Sequence, residues 1–193
     1  MSRPIPVEVV PSHVHLSEAH HQTLFGDGHM GAVRQELSQT GQFAYEETVE
    51  VVGENGESIV LRVLGPHRKA TQIELTPTEA RLLGIGAPIA KSGDLSGAKP
   101  CTLRTAHGSI DAEASVIIPK SHLHLSDTEA SSLRLANGAT VRMDVVGDVA
   151  RVLENVVVRV HPTYRARLHI HPDIARDIWL HTGAHVRVRD IQT

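Results

Sequence analysis

Apolar and polar residues alternate along SIVLRV (Ser58–Val63), NVVVRV (Asn155–Val160) and HVRVRD (His185–Asp190). A period of two puts the apolar side chains on one face of an extended chain, so these runs predict half-buried strands. Two further apolar runs, VEVVP (Val7–Pro11) and SVIIP (Ser115–Pro119), stop at a proline, where a strand loses its next ladder donor. The pattern changes at TPTEARLLG, where Thr76 predicts an N-cap, Pro77 the first helical position, Glu79 the third, and Gly84 the stop. HPDIARDIWLHTG repeats that layout and predicts a second helix stopping at Gly183. KSGDLSGAKPCTLRTAHGSIDAEASVII reads as a loop followed by a hairpin.

The pattern repeats through the chain. PSHVHLS from Pro11 has a counterpart in PKSHLHLS from Pro119, and TVEVVG from Thr48 matches TVRMDVVG from Thr140. The segment from Ser58 to Ile89 runs parallel to that from Asn155 onward. Anchored on Pro77 and Pro172, it places Glu74 over His169 and Ala80 over Ala175. The first copy carries an insertion of about fifteen residues between His15 and Gly53. That insertion includes FGDGHMGAVRQELSQTGQF, which is expected to carry one short helix. Each copy thus reads as strand, His-x-His, turn, two strands and one helix. The fold class is mainly β with short helices: two pseudo-symmetric small β-barrel domains from an internal duplication. The boundaries are 12–119 for the first and 1–11 with 120–193 for the second. No P-loop pattern occurs.

Composition narrows the function. Forty per cent of the 193 residues are apolar but only 3% aromatic, so Val, Ile, Leu and Ala must build the cores. The formal charge of -3, with no basic run or basic-aromatic stripe, argues against a nucleic-acid surface. No apolar stretch has the roughly 18 residues of a membrane helix, and no signal-peptide segment precedes the first strand. The single cysteine, Cys101, excludes an internal disulfide and reads as a small core or loop residue. The expected location is the cytoplasm. The anomaly is 14 histidines.

Residues i and i+2 of a strand share a face, so His13 and His15 can aim at one point with Val14 in the core. His122 and His124 repeat this around Leu123. Two imidazoles are half of a divalent site, and Glu74 and His169 supply one more candidate ligand per half. Histidine with carboxylate favours zinc, with Fe, Co, Ni and Mn open. His171 shares the strand face of His169 and is a further candidate partner. His20, His21, His29, His107, His161, His181 and His185 read as solvated positions. Arg68 and Lys69 precede Glu74 in LGPHRKATQIE, and Arg68 offers the planar fork that suits phosphate or carboxylate. Ser92 and Ser96 are hydroxyls of the glycine-hinged loop Lys91–Gly97.

PVEVVPSHVHLS, LGPHRKATQIELT, KSGDLSG, PKSHLHLS and NVVVRV through LHIHPDIA together resemble the PduL-type phosphotransacylases (phosphate propanoyltransferases), collinearly over nearly the whole chain. The resemblance implies two related β-barrels with a two-zinc active site in the crevice between them. It implies interconversion of a short-chain acyl-CoA (propanoyl-CoA or acetyl-CoA) and phosphate with acyl phosphate and free coenzyme A, by direct transfer. The first metal would take His13, His15 and His169, and the second His122, His124 and Glu74, a crossed pairing. Arg68 matches the phosphate-binding arginine and Ser92 the active-site serine. The resemblance also implies a homo-oligomer, a dimer, and a place in propanediol degradation with association to a bacterial microcompartment shell, although the encapsulation extension of such members is not seen. Ser12 and Ser121 stand where the family usually has arginines, and His171 where it usually has Asp. The competing readings are a two-metal thioester or phosphoester hydrolase and a non-catalytic metal-binding paralogue.

Overall fold

In a computed structural model, residues 3–29, 31–147 and 150–192 are described. The elements in chain order begin β1 (Ile5–Val9), β2 (His13–Ser17), α1 (Glu18–Phe25), β3 (Val33–Glu36), β4 (Phe43–Val52), β5 (Ser58–Arg68), β6 (Gln72–Glu74) and α2 (Pro77–Leu82). They continue β7 (Ile89–Ala90), β8 (Lys99–Arg104), β9 (Ser109–Pro119), β10 (His122–Leu125), α3 (Asp127–Leu133), β11 (Thr140–Val145), β12 (Val152–Val160), β13 (Arg167–Ile170), α4 (Pro172–Asp177) and β14 (His185–Ile191). No helix among the described residues is long and apolar enough to cross a membrane.

The chain divides into two compact units, Ser12–Pro119 and Met1–Pro11 with Lys120–Thr193. In the second, six strands close a barrel in the order β1-β13-β10-β12-β11-β14. In the first, β8 pairs with both β4 and β9, closing β9-β6-β2-β5-β4-β8 into a ring, with β3 and β7 added at its margins. The two orders correspond strand for strand. Each His-x-His strand lies between a parallel and an antiparallel neighbour: β2 between β5 and β6, β10 between β12 and β13.

Each barrel has its own core. Val14, Val51, Val63, Ile73 and Leu103 are fully buried in one, and Val7, Leu123, Val141, Val158 and Leu168 in the other. Burying a Val or Leu contributes roughly 1.5–3 kcal/mol, and a one-residue slip would turn every inward side chain outward. Val14 and Leu123 therefore fix which way the histidines beside them face. Cys101 belongs to the first core, as a small buried residue should.

The helix over TPTEARL forms as its signals require. Thr76 caps it in a reciprocal capping box with Glu79, and Pro77 opens it. Gly84, at φ 69°, turns the chain so that the Ile85 N–H donates to the Ala80 carbonyl. α4 departs from expectation: it stops at Asp177, not Gly183. Trp179 adopts the left-handed conformation at φ 57°, and the Leu180 N–H donates to the Ala175 carbonyl, reproducing the closure at Gly84 with a tryptophan in its place. Among the described residues each unit also holds two helices rather than one, because α1 and α3 follow the His-x-His strands directly. The helix expected within 25–43 is absent among the described residues. Gly26, Gly28 and Gly41 take positive φ, and the strand β3 pairs with β4 instead; Met30 lies outside the described residues.

Candidate functional site

In the Ser12–Pro119 unit, β6 lies antiparallel to β2 with Glu74 opposite His13. His13 Nε2 is 3.7 Å from Glu74 Oε2, and the His13 and His15 rings meet edge-on at 5.0 Å. All three side chains are buried. His15 Nδ1 donates to the Leu64 carbonyl at 3.2 Å, since a carbonyl can only accept. Nε2 is thus left with its lone pair, which accepts from Arg68 Nη2 at 2.8 Å. Burial, then His13 and Arg68, holds the His15 imidazole well below the ordinary histidine range, against the Leu64 hydrogen bond. His15 is therefore neutral, the form that binds a metal.

Arg68 closes β5 and reaches Ser92 Oγ with Nη1 at 3.4 Å. Sequence reasoning missed the residue that joins this network, Gln72. Its Nε2 donates to Ser92 Oγ at 3.1 Å and to Glu74 Oε1 at 2.5 Å, while its Oε1 accepts from the Gly93 N–H at 2.9 Å. Gln72 stands two residues before Glu74 on one strand and so shares its face, a signal legible in the spacing. The structure thus brings His13, His15, Arg68, Glu74 and Ser92 together, and Gln72 ties the serine loop to them.

In the other unit, β13 lies antiparallel to β10 with His169 opposite His122. The ligand nitrogens of His122, His124 and His169 lie within 4.8 Å of one another. His122 Nδ1 donates to the Lys120 carbonyl at 2.9 Å, which turns the Nε2 lone pair outward. Among the described residues, both nitrogens of buried His124, and Nε2 of His169, have no hydrogen-bond partner. Burial first, then His122, His169 and Arg159, pushes His124 far down, so it too is neutral. Tyr164 stacks on His124 at 4.1 Å, and Glu8 of β1 approaches His169 Nε2 at 3.4 Å; neither was legible beforehand. Unpaired buried imidazole nitrogens on His124 and His169, converging with the His122 ring, fit a divalent ion of borderline softness.

Both strand registers group the donors within a unit: His13 and His15 with Glu74, and His122 and His124 with His169. This differs from the crossed grouping, because each single ligand sits on the strand directly hydrogen-bonded to the His-x-His of its own unit. His171 does not join the three. It is the N-cap of α4, its Nδ1 accepting from the Ile174 N–H at 3.4 Å, the capping position that Asp also favours. Ser12 has a structural task as well, donating to Glu79 Oε2 and accepting from the Thr76 N–H at 3.1 Å. His21, expected to be solvated, is buried.

A histidine-rich donor set on adjacent barrel strands could hold a metal ion, and the arginine beside one such set suits an anionic group. Residues 6–180 match the family model for phosphate propanoyltransferase. The chain is 38% identical over 169 residues to the phosphate propanoyltransferase of Alkaliphilus metalliredigens, covering 88% of this chain and 80% of that protein. It is also 38% identical over 174 residues to those of Shewanella putrefaciens and Salmonella typhimurium, in each case covering 90% of this chain and 82% of the relative. The chain belongs to the phosphate propanoyltransferase family and is an acyltransferase.

Proposed function

We propose that this protein moves a short acyl group, propanoyl or acetyl, between coenzyme A and phosphate at a site that takes two divalent ions. His13, His15 and Glu74 would hold one ion; His122, His124 and His169 would hold the other. The observation that carries the reading is the pair of three-donor groups on corresponding strands, one of them hydrogen-bonded through His15 to Arg68. Zinc bound there would supply Lewis acidity and stabilise the negative charge that develops in acyl transfer.

The chain's own residues supply the rest. Arg68 binds phosphate through its planar fork and orients one oxygen for attack. That oxygen forms a bond to the acyl carbon while the carbon–sulfur bond breaks, and coenzyme A leaves as a thiolate. Ser92, held by Gln72 and Arg68, donates a hydrogen bond to the phosphate and keeps it in register. Direct transfer is favoured because Cys101, the only cysteine in the sequence, is buried, and burial followed by the charge of Asp111 pushes its thiol up to about 12. Such a thiol is a poor nucleophile.

The test is coenzyme A release from propanoyl-CoA and acetyl-CoA, with and without phosphate, on protein of measured metal content. Release that requires phosphate, stops with chelator and returns with zinc is the expected result. Release without phosphate would make the protein a hydrolase. Full metal loading with no release would make it a non-catalytic paralogue.

A further inference from the structure

The first unit contains a second histidine cluster that the proposed reaction does not use. α1 and α3 are corresponding helices, capped by Ser17 and Ser126. Four residues beyond each cap, the chain turns a side chain into the barrel wall: Ala130 in one unit, His21 in the other. Where one copy buries a methyl group, the other buries an imidazole that is 1% exposed, with no hydrogen-bond partner for Nε2 among the described residues. An unsatisfied buried polar group costs about 1–3 kcal/mol, so its retention calls for a partner.

Donors of the same chemistry surround it. The His67 ring lies 4.7 Å from that of His21, and the His29 ring 5.7 Å. These separations bracket the 5.2 Å between His122 and His169. Glu47 Oε1 is held by His29 Nε2 at 2.7 Å and by the Ala32 N–H at 3.2 Å, while its buried Oε2 has no hydrogen-bond partner among the described residues. Phe25 and Tyr45 wall the cluster at 5.0 and 5.9 Å from His21. Gly31 passes so close that a Cβ there would collide with Tyr45. His67 precedes Arg68, and successive strand residues face opposite ways. Arg68 accordingly meets His15 while His67 meets His21.

We propose that His21, His67, His29 and Glu47 form a third divalent-metal site, specific to the first unit and separate from the donor groups assigned to acyl transfer. The buried His21 is its fixed ligand. The exposed His29 and His67 turn about their side-chain bonds to close on the ion, and Glu47 supplies the anionic oxygen. Burial, then His67 and His29, lowers the His21 pKa against the pull of Glu47, so its nitrogen is available near neutral pH. A mixed imidazole and carboxylate set takes Zn2+, with Co2+ and Ni2+ as the nearest substitutes.

The test counts metal. Full-length protein is stripped with chelator, reloaded with excess Zn2+, desalted, and its zinc per chain measured by mass spectrometry. Wild type is compared with His21→Ala, which installs the residue the second unit already uses, and with Glu47→Gln and the exposed-site variant His67→Ala. Circular dichroism checks that each is folded. The expected result is one zinc fewer in His21→Ala, at least tenfold weaker retention of that zinc in Glu47→Gln and His67→Ala, and unchanged phosphate-dependent coenzyme A release. A parallel His169→Ala variant reports on the other reading, so failure of one is separable from failure of the other. Wild-type zinc content and affinity in His21→Ala and in both companion variants would overturn the site.

Discussion

Replacing Arg68 by alanine tests the phosphate anchor most directly. The guanidinium engages His15 Nε2 at 2.8 Å and Ser92 Oγ at 3.4 Å, so both Nη groups face the donor set. Two hydrogen bonds to a phosphate dianion contribute about 1.5–3 kcal/mol each. At the lower figure for both, their loss is about 3 kcal/mol, or on the order of 100-fold in kcat/KM for phosphate. Arg68→Lys keeps the charge but loses the fork, and should fall between wild type and alanine. The assay follows released coenzyme A with a thiol reagent over a range of phosphate concentrations. Cys101 adds no background while the protein is folded, because its buried thiol is pushed up to about 12. Zinc content should not change, since Arg68 holds phosphate and not metal. A phosphate KM within about threefold of wild type at unchanged kcat would remove Arg68 from the site.

Two further outcomes follow from the same geometry. Grouping within units predicts that His122→Ala/His169→Ala loses one zinc per chain, whereas His13→Ala/His169→Ala loses two. Mass-spectrometric counting that gives the reverse order would restore the crossed grouping. The capping box at α3 predicts a pH effect. Burial raises the Glu129 pKa, but hydrogen bonds from the Ser126 N–H and hydroxyl outweigh it and lower the net value. A carboxylate depressed in the folded state stabilises above its unfolded pKa, about 4.3, and that contribution fades as pH falls through the folded value. Glu129→Gln should therefore cost about 1 kcal/mol at pH 7 and distinctly less near pH 3, read from urea unfolding. An equal cost at both pH values would refute the charge-based account.

The strands, and the places of the candidate donors on them, were readable because both follow a period of two. Alternation put Val14 and Leu123 inward and their histidine neighbours on the other face, and the repeat alignment paired Glu74 with His169. What alignment could not give is which strands are hydrogen-bonded. The choice between the crossed grouping and grouping within units depends on β6 lying beside β2, and β13 beside β10. The α3 helix was legible in the capping pair Ser126 and Glu129 but was masked by the short apolar run before it. The stop at Trp179 was not legible, because a tryptophan in the left-handed conformation has no composition signal, although its alignment with Gly84 marks the place. Buried His21 was hidden for a similar reason: polar residues are read as exposed unless a partner in sequence argues otherwise.

The corresponding strand orders of the two rings have a consequence for how the halves depend on each other. β1 and β9 are counterparts in the repeat, yet β1 completes the ring containing β10 and β9 completes the ring containing β2. Each repeat lends its opening strand to the other and receives one in return, the arrangement of a strand-exchanged dimer fused into one chain. Each ring takes five strands from one repeat and one from the other. A lone repeat would have to fold its own opening strand onto β6 or β13, or leave that edge open to recruit another strand. Duplication here did more than double a site; it made folding reciprocal, so that each barrel is sealed by the other's first strand.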